Sequence, residues 1–261
     1  MADKRPSPIR TDIPHSARIW NYWLGGSDFY EVDRLAGEAG VAAYPQIEAM
    51  AKQSRQFLIR AVRYLAAEAG IRQFLDIGTG LPTMQNTHEV AQAAAPDARI
   101  VYVDNDPLVL AHARALLVNT TDEGVTTYLE ADFHEPERIL ADARNVLNFR
   151  QPIAVMFIGV LGHAQTYAEV RRVVDTMMDG VPPGSYLALY DGSTDDAAYV
   201  RMCRNYTRTG GVPYNPRTSD EIRGVFDGLE LVEPGVVPIN HWLGDPGETP
   251  TSAWGGVGRK P

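Results

Sequence analysis

Three acidic residues close three consecutive apolar runs in the middle of the chain, and two glycines follow the first of them. The runs read FLDIGTGLPT from Phe74, IVYVDNDP from Ile100 and YLEADFHEP from Tyr128, with Asp76, Asp104 and Asp132 as the acids and Gly78 and Gly80 as the glycines. Glycine has no side chain to pack and much backbone freedom to lose, so two at a strand end signal positive φ or a ligand lying against bare backbone. Asp104 follows Gly80 by 24 residues, near the spacing at which an acid in an open α/β sheet meets a ribose diol. A carboxylate suits that task because it accepts hydrogen bonds from neighbouring hydroxyls. Asp132 is suited to accept from an exocyclic adenine amine, and Phe133 to wall the base. Taken singly, each acid also fits a turn or a helix N-cap, and Gly78 a tight turn. In register, they point to a bound nucleoside.

A dinucleotide site would show G-x-G-x-x-G with a helix starting directly beneath the pyrophosphate. Here Thr83 stands where the third glycine would be, Pro82 intervenes, and the next helix starts near Asn86, where Asn86 and Glu89 offer a capping box. A ligand without phosphates has no need of a helix N-terminus pressed against it.

The elements that must position these residues alternate. After an apolar helical face at 45–69, carried by Met50, Phe57, Leu58, Ala61, Val62 and Leu65 and ended by Gly70, short apolar runs take turns with helical patterns. The runs are QFLDI, IVYVD, VTTYLEA, IAVMFIGVL and SYLALYD, and the helices fall near 87–95, 107–118, 135–147 and 167–179. Continuous apolar strands alternating with helices indicate a parallel sheet covered on both faces. A helix near 218–228 and two β-rich pieces, LELVEPGVVPI and AWGGVGRK, bring the strand count to seven. Residues 1–70 read as a loose arm (1–14) and a helical cap, and 71–261 as the nucleoside-binding domain, the two forming one structural unit.

The chain has 261 residues and a formal charge of −9, with 44% hydrophobic residues. That length and composition fit one α/β domain with additions. An acidic chain repels phosphate backbones at long range, which disfavours a nucleic-acid partner. The single cysteine, Cys203, excludes an internal disulfide and a multi-cysteine zinc site, reads as a packing residue and suits a reducing cytoplasm. No metal site is expected. The polar, proline-rich start lacks the apolar core of a signal peptide, and no stretch has the length of a membrane span. A cytoplasmic location is the expectation.

The order of these features resembles the class I S-adenosylmethionine-dependent methyltransferases over about 72–192 and the β-rich tail. More narrowly, the whole chain resembles a bacterial S-adenosyl methyltransferase-like family long catalogued as a domain of unknown function. ARIWNYWLGGSDFYEVDR, AVRYLAAEAGIRQFLDIGTGLPTMQNTHEVAQ, VYVDNDPLVLAHARALL and the closing WGGVGRKP carry that resemblance. It implies a Rossmann-like, seven-stranded, mostly parallel sheet with an antiparallel last strand, and S-adenosylmethionine as cofactor. It places Asp76, Gly78, Thr79 and Gly80 around the methionine part, Asp104 and Asn105 at the ribose, Asp132 and Phe133 at the adenine, and Gly159 beside them. Many methyltransferases carry an acidic or asparagine-containing motif after the fourth strand. Here FIGVLGH supplies Gly159, Gly162 and His163, a departure that argues against amino-methylating enzymes of the Asn-Pro-Pro-aromatic type.

WNYWLGGSDFYEVD has two readings. Tyr22, Gly25 and Gly26 either form a lid over the cofactor, or Gly25 and Gly26 simply cap a helix whose Trp20, Tyr22 and Trp23 face the core. Arg18 is a candidate partner for the cofactor carboxylate, or else a surface arginine. His163 is a candidate base, because histidine titrates near neutrality; an outer-layer or exposed role is the alternative. His88 belongs to a first helical turn and His241 to the tail. In an excursion at 195–217, Tyr199, Tyr206 and Tyr214 suit an apolar or aromatic acceptor, or else pack the excursion onto the sheet. The leading reading is a methyltransferase acting on a small molecule. Non-catalytic, regulatory binding of S-adenosylmethionine is the alternative, and a nicotinamide oxidoreductase is disfavoured by Thr83.

Overall fold

The computed structural model describes residues 9–82, 85–116, 118–245 and 247–261. Most of the N-terminal arm and Thr83 lie outside them. Three helices come first: α1 (Ser16–Trp23), α2 (Glu31–Ala43) and α3 (Ile47–Arg63), the last continued by a π-helical turn, Tyr64–Glu68. The α/β alternation follows as β1 (Gln73–Ile77), α4 (Thr87–Ala94), β2 (Arg99–Asp104), α5 (Pro107–Leu116), β3 (Val125–Glu130), α6 (Pro136–Ala143), β4 (Ala154–Ile158), α7 (Tyr167–Asp179) and β5 (Tyr186–Gly192). The chain closes with α8 (Ala197–Thr207), α9 (Ser219–Gly224), β6 (Glu230–Leu231), β7 (Val237–Pro238) and β8 (Ala253–Arg259).

The strand order is β3-β2-β1-β4-β5-β8-β6, with β7 also paired to β8. β1 to β5 are parallel, and β6, β7 and β8 pair antiparallel. The segment read as a sixth strand is split in two, because Pro234 and Gly235 interrupt it. β1 and β4 are neighbours and their chains leave in opposite directions along the sheet, so the switch point opens above their carboxyl ends.

Side chains alternate across the sheet. Phe74, Ile100, Met156 and Ala188 pack with Phe57 and Leu65 of the N-terminal helical segment on one face. Leu75, Val101, Val155 and Leu187 pack with α6 and α7 on the other. Phe57 and Leu65 are fully buried, each such side chain contributing about 1.5–3 kcal/mol relative to exposure. α8 lies inside the stretch read as an excursion. Asp196 caps it by accepting from the Ala198 amide, and Tyr199, Met202 and Cys203 form its buried stripe.

Candidate active site

The parallel ladder does not stop at the strand ends, and this builds the site. The Gly78 amide donates to the Val103 carbonyl (2.8 Å), Ala131 to Asp104 (3.2 Å) and Gly159 to Tyr190 (3.0 Å). The loops after β1 to β4 are thereby drawn to one edge of the sheet. Gly78, Gly80 and Gly159 all have positive φ. A Cβ at Gly78 would lie 2.3 Å from the Val160 side chain and one at Gly159 2.5 Å from the Tyr190 hydroxyl, so both are also required by packing. Gly80 differs: among the described residues its nearest neighbour would be Ala17 at 3.9 Å, so its bare backbone borders the open space these residues leave.

That space is a cavity of about 320 Å³ walled by these loops and by the helical cap. Asp76, Gly78, Thr79, Gly80, Asp104, Asn105, Asp132, Phe133, Gly159 and His163 line it, as do Tyr199, Tyr206 and Tyr214. Tyr22, Gly25 and Gly26 do not. Arg18 and Tyr22 sit one turn apart on the face of α1 turned to α2. Arg18 is buried and pairs with Asp33 at 3.4 Å and Asp106 at 3.6 Å. Tyr22 packs edge-on against Phe29 and over Gly37. Gly25 and Gly26 donate to the Tyr22 and Asn21 carbonyls (2.9 Å each), and Gly25 has φ +80°, the pattern of a Schellman C-cap. Ala17, Trp20, Asn21 and Leu24 line the cavity in their place.

Asp104 is held by three backbone amides: Gly80 to Oδ2 at 2.9 Å, and Asn105 and Asp106 to Oδ1 at 2.8 and 2.9 Å. Burial raises its pKa despite these bonds. Asp76 is buried, accepts from the Thr87 hydroxyl at 2.6 Å, and is pushed up to about 6 by desolvation. Asp132 accepts from Asn105 Nδ2 at 2.8 Å and from the His134 amide at 3.0 Å. Burial would raise its pKa, but its hydrogen bonds with His134 and Asn105 outweigh that and lower it. His134 stacks on Phe133 with ring centroids 3.9 Å apart.

His163 follows β4 in a 3₁₀ turn, Leu161–His163. Its Nδ1 lies 2.9 Å from the Pro213 carbonyl, so a neutral ring donates there and carries its lone pair on Nε2. Desolvation lowers its pKa, favouring that neutral form. Tyr214 meets His163 edge-on at 5.2 Å. The Tyr214 hydroxyl donates to Asp191, itself pushed up to about 6 by burial, and accepts from the Gly192 amide at 3.0 Å. Tyr199 is buried against Tyr44, and the half-buried Tyr206 reaches the Pro14 carbonyl at 3.4 Å. Cys203 is buried, its thiol pushed up to about 12 by desolvation, and serves packing.

Arg55 of α3 escaped the sequence reading. Among the described residues it is the only lysine or arginine lining the cavity. The signal was a charge on an apolar stripe, since Arg55 takes the position between the buried Ala51, Leu58 and Val62. No group of His, Cys, Asp and Glu among the described residues could hold a metal ion. No helix among them is long and apolar enough to cross a membrane.

The sequence profile of an S-adenosyl methyltransferase family matches residues 2–261. The chain belongs to this family. The methyltransferase shares 41% identity with a DUF574 family protein from Streptomyces avermitilis, at a TM-score of 0.92, over 96% of this chain and 99% of the other. A candidate methyltransferase from Thermobifida fusca is 40% identical, at a TM-score of 0.89, over 99% of each chain. A SAM-dependent methyltransferase from Anabaena variabilis shares the fold at 14% identity and a TM-score of 0.52, over 99% of this chain and 100% of the other. No functionally curated protein matches the chain. Family membership makes the chain an S-adenosylmethionine-dependent methyltransferase, not a nicotinamide oxidoreductase.

Proposed function

We propose that this enzyme methylates an uncharged, apolar or aromatic small molecule seated against Tyr199, Tyr206 and Tyr214, with His163 accepting the acceptor's proton. The observation that carries this is the division of one cavity. Its three carboxylates stand at the strand ends, whereas α1, α2 and α8 contribute aromatic, small apolar and neutral polar groups. A polyanion would find no basic wall there.

Asp104 and Asn105 hold the cofactor's ribose, Asp132 and Phe133 its adenine, and Asp76, Gly78, Thr79, Gly80 and Gly159 surround the sulfur end. The fit is specific at two points. Gly80 leaves room that any side chain would fill. Asp104 Oδ1 already accepts two amides but Oδ2 only one, which leaves one lone pair for a single ribose hydroxyl.

S-adenosylmethionine supplies a methyl carbon activated by a positive sulfur. The chain's own work is to exclude water, align the acceptor and remove its proton. α1 covers the loops, excluding water. Pro213 fixes the His163 tautomer, which leaves Nε2 to take the proton of an acceptor hydroxyl.

The test is transfer of labelled methyl groups into fractions of a cell extract. Label in neutral, organic-soluble metabolites, lost in His163→Gln, supports the reading. Label confined to tRNA or protein would overturn it.

A further inference from the structure

A second depression, of about 360 Å³, lies at the amino ends of the strands and shares no lining residue with the cavity at their carboxyl ends. Arg72 comes to it from just before β1, Arg99 from the first position of β2 and Arg144 from just after α6. Among the described residues Asp97 is the one carboxylate on its wall, so three permanent cations meet one acid in a chain whose formal charge is −9. Each guanidinium is held in place without being used up. Arg72 donates through Nη1 to the Ala66 and Ile71 carbonyls (2.8 and 3.1 Å) and pairs with Asp97 at 3.4 Å. Arg99 donates to the Val146 carbonyl at 3.4 Å, and Arg144 lies over the Phe149 ring at 4.1 Å. Neither has a carboxylate partner among the described residues, and a guanidinium has five N–H donors. The rim is fixed by the buried Gln73, which accepts from the Asn148 amide at 2.6 Å and donates to the Asn148 carbonyl at 3.0 Å.

We propose that this depression binds the phosphoryl group of a small molecule. Guanidinium forks select oxyanions, which they meet through paired N–H···O bonds. The three arginines arrive from three separate segments of the chain. One fork fills the two oxygens of a carboxylate, whereas a tetrahedral phosphoryl group carries oxygens in several directions and engages more than one fork. Counting Asp97 against the three arginines leaves two positive charges, which matches a dianion. The volume of about 360 Å³ is many times the roughly 30 Å³ that a water molecule takes up in the liquid. Part of the phosphoryl group's carrier therefore fits as well. A polymer of phosphates is disfavoured, because the charge of −9 over the whole chain repels it at long range.

Pyrophosphate is the probe, titrated calorimetrically into the whole protein at low ionic strength. It should bind at one site per chain with a dissociation constant below about 1 mM. Affinity should fall as salt is added, because all three arginines are exposed. Arg99→Gln and Arg144→Gln should each weaken binding at least about fivefold. Arg223→Gln on α9 makes the same change in net charge away from the depression, and should leave affinity within about twofold. Thermal unfolding midpoints matching the wild type show that each variant is folded. Citrate, which offers carboxylates in place of phosphoryl groups, should bind at least about fivefold more weakly than pyrophosphate. Equal weakening by all three variants would reduce the effect to net charge and overturn the site. Citrate binding as tightly as pyrophosphate would overturn the phosphoryl assignment, and a wild type that binds no pyrophosphate would overturn the proposal outright.

Discussion

The Gly80 amide and the Asp104 carboxylate, 24 residues apart in the chain, are joined by a 2.9 Å hydrogen bond. It ties the loop after β1 to the end of β2, where Asp104 lines the cavity. Asn105 and Asp106 complete the grip. Asp104→Ala would orphan three amides at once. Each unsatisfied buried group costs about 1–3 kcal/mol, so denaturant unfolding should show a loss of at least about 2 kcal/mol. A change below about 0.5 kcal/mol would mean the loop holds without this carboxylate.

Asp76 makes cofactor binding depend on pH. Burial pushes its carboxyl up to about 6, with Thr87 and Arg55 pulling down and Asp104 pushing up. An α-ammonium favours the ionised carboxylate, so binding lowers this pKa and releases a proton near pH 6. Affinity for S-adenosylhomocysteine should therefore be full above about pH 7 and decline as pH falls through 6, and Asp76→Asn should flatten that decline. Calorimetry in buffers of different ionisation heat reads the released proton. A flat profile between pH 5 and 7 in the wild type would contradict the role of Asp76.

His163 must be neutral to accept a proton, and burial lowers its pKa. The acid limb of the pH–rate profile should accordingly lie below the ordinary histidine value of about 6.5. His163→Gln should lower turnover by roughly 10²–10⁴-fold with cofactor affinity unchanged. Comparable loss of affinity and rate would make His163 a structural residue.

Gly25 reports on the cap. It has φ +80° and open space around a built Cβ, so Gly25→Ala meets backbone strain and no clash. Thermal unfolding should register a loss of roughly 1 kcal/mol with S-adenosylhomocysteine affinity unchanged. A selective loss of affinity would restore Gly25 to the cofactor lid.

The sheet was legible because each parallel strand is a short apolar run that ends in its own local signal, an acid or a glycine. Asp76, Asp104 and Asp132 needed no tertiary knowledge beyond strand order. Tyr22 was misjudged because the face of α1 that meets α2 is chosen by Asp33 and Gly37, residues 11 and 15 positions further on. Neither shows in the periodicity of α1. Arg55 was visible only as a break in a stripe, and reading a helix by its apolar positions passes over the one charged residue that matters. α8 carried its own signals, the Asp196 N-cap and the Tyr199, Met202 and Cys203 spacing, but glycines and tyrosines at 206–214 made the whole stretch read as irregular.

The seat of the cofactor is tested most directly by calorimetric titration of the wild type and Asp104→Asn with S-adenosylhomocysteine. Asparagine keeps the size of the side chain while exchanging one acceptor oxygen for a donor. Losing a hydrogen bond to a charged group costs about 1.5–3 kcal/mol. The structure predicts one site per chain in the wild type and affinity at least about tenfold weaker in a folded Asp104→Asn. Wild-type affinity in that variant, or no binding by the wild type, would contradict the assignment.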